Sequence, residues 1–188
     1  MRELFHEHGS SELAFDSIVA AAENGASPHA DVRDAEIPPN TLVTIDAGCR
    51  VGGYASDCTR TFATGELPDD LARAYEICLE AELAGLEAYG PGVSGRDADA
   101  AARDVIATAG WGEEFGHGLG HGIGLDVHEL PAARAESTDT FESGNVISCE
   151  PGIYIPGLGG VRIEDMVLVT DDGSERLTQV GKELTTVR

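Results

Sequence analysis

The chain has 188 residues, with 34 Asp and Glu against 12 Lys and Arg, and a formal charge of −22. A field of that sign repels nucleic acid and anionic lipid, and no stretch approaches the roughly 20 apolar residues of a membrane span. With 41 % hydrophobic residues the chain is too apolar for a disordered acidic protein, and its length suits one domain with a real core or two small ones.

The acids are scattered along the chain and not gathered in a tail. That distribution resembles the cytosolic proteins of salt-accumulating halophiles, where ions screen a dense acidic surface. Most carboxylates are therefore expected at the surface, and a functional one must be singled out by context. The opening "MRELFHEHGSSE" has no apolar run behind its charges, so it is not expected to be a signal peptide, and a soluble cytoplasmic protein is expected. The cysteines at 49, 58, 78 and 149 form no CxxC pair, which excludes a zinc ribbon and predicts small buried side chains.

In chain order, residues 1–8 predict the end of a helix closing near Gly9, and "LAFDSIVAA" (13–21) predicts a strand. Residues 23–40 are rich in turn formers and predict a loop. "TLVTIDAG" (41–48) and "YASDCTRTF" (54–62) predict two strands of a hairpin about Gly52-Gly53. From Pro68 to Tyr89 the positions Leu71, Ala74, Tyr75, Cys78, Leu79 and Leu86 keep helical spacing. "GPG" breaks that helix, and Ser94 with Asp97 forms a capping signal for a second one, ending at Gly110. "GHGLGHGIGLDVHE" (116–129) then sets His117, His121 and His128 among five glycines at alternate places. Each Gly costs a helix interior roughly 1 kcal/mol, so the stretch is expected to be extended or looped, with backbone free to approach something closely. A polar loop (133–143) follows, then strands over 145–155 and 160–170 joined by a Gly-rich turn.

The chain contains a repeat. "PNTLVTIDAG" (39–48) parallels "SGNVISCEPG" (143–152), so Asp46 falls on Glu150, and the next strands set Asp57 against Glu164. Each half reads helix, strand, loop, hairpin, with an acid on each hairpin arm. A turn at Val51-Gly52 sets Asp46 opposite Asp57, and a turn at Gly52-Gly53 makes them diagonal neighbours; either leaves both on one face. Glu150 and Glu164 share a face if their loop is odd, which "PGL" permits. Packed about a pseudo-twofold axis, the halves would bring four carboxylates together. Four such anions cannot all stay ionised without cations, and a pair of divalent metals about 3.5–4 Å apart, holding and activating a water, resolves the conflict. Carboxylates with one imidazole suit Mn, Fe(II), Co or Zn.

"TIDAG…YASDCTRTF", "GHGLGHGIGLDVHE", "EPGIYI" and "GVRIEDMVLVT" together resemble the signature elements of the pita-bread dinuclear metallopeptidases, in the proline-specific branch of Xaa-Pro dipeptidases and aminopeptidases P. The resemblance runs over nearly the whole chain from about Leu13. It implies an α+β pita-bread fold of two pseudo-twofold-related halves, with a curved antiparallel sheet and outer helices. Residues 1–188 would form one catalytic domain with half-repeats at about 1–66 and 67–188. It further implies two divalent ions, manganese first among them, held by Asp46, Asp57, His121, Glu150 and Glu164. Asp57 and Glu164 would bridge the ions, and a hydroxide held between them would attack the bond before proline. His117 and His128 would contact the scissile carbonyl or the oxyanion, and Glu150 would shuttle a proton. His29 would lie near the proline ring, and Arg162 would hold a ligand carboxylate in place. The implied partners are a proline-containing di- or oligopeptide and a second copy of the chain in a homodimer.

Family members carry an N-terminal domain and opening helices, and against that pattern about one helix and a half is expected to be absent here. Three other readings stand beside the peptidase. Some pita-bread domains are non-catalytic peptide-binding modules, histone chaperones among them, but those lose metal ligands and this chain keeps all five. A creatinase-like enzyme would cleave another C–N bond. "GLGHGIG" as a phosphate loop lacks the strand and helix context that reading needs.

Overall fold

The computed structural model describes residues 1–187. The N-terminal half holds α1 (Arg2–Glu7), β1 (Glu12–Leu13), β2 (Ile18–Ala21), β3 (Leu42–Asp46), β4 (Cys49–Val51), β5 (Tyr54–Ala55) and β6 (Thr59–Ala63). After it come α2 (Asp69–Ala88), α3 (Gly95–Thr108), β7 (Gly120–Gly122), β8 (Glu129–Ala133), β9 (Val146–Cys149), β10 (Gly152–Ile155), β11 (Gly159–Arg162), β12 (Asp165–Val169) and β13 (Ser174–Arg176).

Each half is built on one long hairpin with a corner in the middle. In the first, β3 pairs with β6 and β4 with β5, antiparallel. Leu42 faces Ala63, Asp46 faces Thr59 and Val51 faces Tyr54, so one register runs through the corner. The tip is the two-residue turn Gly52-Gly53, with φ of +60° and +89°. Both angles lie where glycine is favoured and match the hairpin turn that suits strand twist. In the second hairpin, β9 pairs with β12 and β10 with β11. Cys149 faces Asp165, Gly152 faces Arg162 and Ile155 faces Gly159, which leaves the odd loop Pro156-Gly157-Leu158. The same register sets Glu150 opposite Glu164 at the corner.

The two hairpins join edge to edge through the Thr61 side chain and a backbone hydrogen bond. The Thr61 hydroxyl donates to the Arg162 carbonyl at 2.9 Å and accepts from the Arg162 amide at 3.2 Å, and the Glu164 amide donates to the Thr59 carbonyl at 3.1 Å.

The helices cover the apolar side of the second half. Leu71, Ala74, Tyr75, Cys78 and Ala81 form the buried stripe of α2, and Ala98, Ala102 and Ile106 that of α3. They pack with Ile147, Ile153, Val161, Ile163 and Val167 in one core. Ser94 caps α3 by accepting from the Asp97 amide at 3.1 Å, as its spacing predicts. Of the four free cysteines, Cys78 and Cys149 are buried and Cys49 and Cys58 half-buried.

Three elements differ from the sequence reading, one of them β8, which forms over Glu129–Ala133 where no strand was expected. The strand expected over 13–21 is broken: β1 pairs with β4, while β2 pairs with β3 in another sheet. The chain bends between them to follow the hairpin corner, where Phe15 packs against Gly48. Strand β13 was not foreseen; it is three exposed polar residues on the edge of β12, with no alternation to reveal it. None of the helices is long and apolar enough to cross a membrane among the described residues.

Candidate metal centre

Strand parity places the acids. Asp46 ends β3, Asp57 stands in the corner before β6, and Glu150 and Glu164 stand in the corner between β9/β12 and β10/β11. His121 comes from β7, which lies between β8 and β9. The alternating glycines make that position possible. A Cβ on Gly120 would lie 1.8 Å from the Ser148 carbonyl oxygen, and one on Gly122 2.4 Å from that of Leu130. Without side chains there, β7 closes on its neighbours and the His121 amide donates to the Ser148 hydroxyl at 3.0 Å. The stretch is extended at its centre, as the glycine content predicts.

The donors converge. One ligand atom each from Asp57, His121 and Glu164 lie within 4.8 Å of one another. His121 Nε2 stands 3.1 Å from Glu150 Oε1 and 3.9 Å from Asp57 Oδ2. Asp46 Oδ2 accepts from Arg162 Nη2 at 2.7 Å. All five, with His29, His117, His128 and Arg162, line one cavity of about 720 Å³.

The electrostatics of the bare protein are strained. Burial first, then Asp46 and Glu150, push Asp57 up to about 8. Burial and the neighbouring carboxylates raise Glu164 well above the usual range. Burial opposes a charge on His121, but the Glu150 hydrogen bond and charge outweigh it and raise the imidazole. Glu150 is correspondingly lowered, His121 overcoming its burial. Asp46 Oδ1, Asp57 Oδ1 and Glu164 Oε1 are buried and accept no hydrogen bond among the described residues. Three inward-facing orphan oxygens from three carboxylates, beside an imidazole nitrogen, are the donor set a hard or borderline divalent cation requires. The residues fit such an ion.

The histidines outside this set differ from one another. His117 Nδ1 faces its neighbour's carbonyl, Gly118 O, at 2.8 Å, and Nε2 lies 3.0 Å from the Tyr154 hydroxyl. A carbonyl only accepts, so Nδ1 carries the proton. Arg162 Nη1 donates to the Tyr154 oxygen at 2.8 Å, leaving that hydroxyl to donate to Nε2. Both ring nitrogens are thus used, and burial lowers the pKa of His117. The His128 ring lies 4.2 Å from that of His121 and has no hydrogen bond among the described residues. Burial and His121 lower its pKa. His29 is exposed at the rim of the cavity, and its loop is tied to the site by Arg162 Nη1, which donates to the Pro28 carbonyl at 3.1 Å.

Three partners of the site were not anticipated. The Thr59 hydroxyl donates to Glu164 Oε2 at 2.7 Å and accepts from Arg162 Nε at 3.1 Å. The Ser148 hydroxyl donates to Glu150 Oε1 at 3.0 Å. Tyr154 links Arg162 to His117. Thr59 and Ser148 stand two residues from Asp57 and Glu150, so strand alternation could have found them. Nothing in the spacing marks Tyr154.

Two corner-bearing hairpins with an acid-and-imidazole pocket between them, beside outer helices, are the architecture of the pita-bread fold. The chain belongs to metallopeptidase family M24, whose profile matches residues 1–171. It is 44 % identical over 181 residues to the Xaa-Pro dipeptidase of Pyrococcus horikoshii, covering 96 % of this chain and 52 % of that protein. The solved Xaa-Pro dipeptidase from Bacillus anthracis superposes with a TM-score of 0.97 at 45 % identity, over 99 % of this chain and 52 % of that one. Aminopeptidase P from Escherichia coli, solved with substrate, gives 0.86 at 31 %, over 97 % and 48 %. The chain spans about half the length of the relatives it matches.

Proposed function

We propose that this chain is the catalytic domain of a proline-specific peptidase that hydrolyses the bond before proline, using two divalent ions. The observation that carries the reading is the set of orphaned buried oxygens of Asp46, Asp57 and Glu164 beside His121 and Glu150. Relatives named as Xaa-Pro dipeptidases support the proline specificity.

When bound, the ions, with manganese the first candidate, would supply an activated water at neutral pH and polarise the scissile carbonyl. Asp46, Asp57, His121, Glu150 and Glu164 would hold them. Glu150, fixed by the Ser148 hydroxyl, would take the proton of the attacking water and pass it to the leaving imino nitrogen. His128, whose ring nitrogens are not engaged, would donate to the developing oxyanion. His117, engaged on both nitrogens, shapes the wall, and His29 faces the proline ring. Arg162 holds Asp46 and ties down the loop that carries His29.

Hydrolysis of Gly-Pro against Gly-Pro-Pro with added manganese, alongside a metal count, tests the reading. Two ions per chain and cleavage of either peptide are expected. A folded chain that takes up no stoichiometric metal is a binding module and not an enzyme. In the same way, His121→Ala should lose metal and turnover together, and full activity with two ions retained would refute the ligand assignment.

A further inference from the structure

Lys182 is the only lysine of the chain, and it is buried. Its Nζ donates to Glu82 Oε1 at 2.5 Å and to Asp165 Oδ2 at 2.6 Å. Glu82 comes from the middle of α2 and Asp165 opens β12; both are fully buried. Asp165 Oδ1 accepts from Arg60 Nη2 at 2.6 Å. Arg60 in turn gives Nη1 to the carbonyls of Thr59 and Glu164, Nε to that of Gly181 and Nη2 to that of Val180. Two cations and two anions from helix, both hairpins and tail therefore meet at one point, with Arg176 as a looser neighbour 3.6 Å from Asp165.

Strand alternation gives that point its reach. Successive side chains face opposite ways, so Glu164 faces the metal site while Asp165 faces the cluster, and Thr59 faces Glu164 while Arg60 faces the cluster. Every link from Lys182 to the Glu164 carboxylate is a short hydrogen bond: Lys182 to Asp165, Asp165 to Arg60, Arg60 to the Glu164 and Thr59 carbonyls, and the Thr59 hydroxyl to Glu164 Oε2. A surface tail has no need of a buried ammonium; desolvating it is costly unless its partners are fixed.

We propose that Lys182 is a positioning residue, which through Asp165 and Arg60 fixes the corner carrying Glu164 at the spacing the metal site needs. The proposal rests on the peptidase reading for its catalytic consequence, but its structural half can be read without metal.

Three variants decide it: Lys182→Met, Lys182→Arg, and Lys182→Met with Glu82→Gln, which leaves Asp165 paired to Arg60 and no unpaired carboxylate in the cluster. In the metal-free chain, the Glu164 amide, which donates to the Thr59 carbonyl, should exchange with solvent at least tenfold faster in the double variant, with the amides of α3 unchanged. In the manganese-loaded chain, metal affinity and kcat should each fall about ten- to a hundredfold, the range seen when partners of metal ligands are removed, with KM within twofold. Lys182→Arg should recover most of both losses. Unchanged exchange at Glu164 overturns the proposal, as does a loss that arginine restores no better than methionine. A chain that folds only with Lys182 assigns the lysine to stability alone and overturns it equally. A parent chain that binds no manganese counts against the peptidase reading, and the exchange result then still decides the positioning claim.

Discussion

Asp57 is the side chain on which the chemistry of the bare site turns. Its pKa near 8 means that the metal-free protein holds a proton there at pH 7, and cation binding must expel it. Calorimetry in two buffers of different ionisation heat should record proton release, and the part absent from Asp57→Asn should fade as pH rises above about 8; a difference between parent and variant that is flat from pH 6.5 to 9 contradicts this. The same shift sets the sign of stability against pH. The unfolded chain sheds this proton near the ordinary value of 3.8, whereas the native state keeps it, so the stabilisation is full below that value and is lost as pH climbs through about 8. Metal-free Asp57→Asn should therefore melt higher than the parent at pH 8 while taking up no bridging metal. A lower melting point for the asparagine variant at that pH would show that Asp57 is not repelled by Asp46 and Glu150. The four proposed acid ligands were legible in the repeat that sets Asp46 on Glu150 and Asp57 on Glu164, while the choice of His121 among three histidines came from the family resemblance. Thr59 and Ser148 lay within reach of strand alternation, two residues from Asp57 and Glu150, but only the fold shows that their hydroxyls meet carboxylates; Tyr154, which meets Arg162 and His117, had no such signal.

At the level of single elements, β7 and α3 offer the sharpest tests. Gly120 faces the Ser148 carbonyl so closely that Gly120→Ala must push β7 away from β9 and carry His121 with it. A loss of about 1–3 kcal/mol, the usual cost of overpacking, is expected in denaturant melts, together with weaker metal binding; unchanged values for both would mean that β7 has room it is not shown to have. Ser94→Ala removes the cap of α3 and should cost about 1 kcal/mol, leaving metal affinity untouched because α3 carries none of the proposed ligands. The helices and hairpins were readable because their periodicities are long and their stop signals strong: α2 runs Asp69–Ala88 where apolar spacing predicts 68–89. The first strand was not, since "LAFDSIVAA" reads as one mostly apolar run, and the polar pair Asp16-Ser17 within it does not by itself say that two sheets divide it. The turn at Gly52-Gly53 was open between two registers on paper, and the positive φ of both glycines selects the one that makes Asp46 and Asp57 diagonal.

For the whole molecule the formal charge of −22 dominates. Repulsion among surface carboxylates opposes the compact state, and salt shortens its range from about 10 Å at 0.1 M to about 3 Å at 1 M. The melting midpoint should climb with KCl up to molar concentrations and far less with an uncharged osmolyte; equal responses would point to preferential exclusion in place of screening. The composition made that much plain, but could not show that the only primary amine among its side chains lies inside, hydrogen-bonded to Glu82 and Asp165. That arrangement has a practical corollary for anyone handling the protein. Amine-acylating dyes, glutaraldehyde and activated resins will find no exposed lysine on the folded surface, because the single lysine of the sequence is buried. A label arriving on Lys182 under mild denaturant would then time the release of the segment around it from Glu82 and Asp165, turning an ordinary labelling reagent into a clock for its opening.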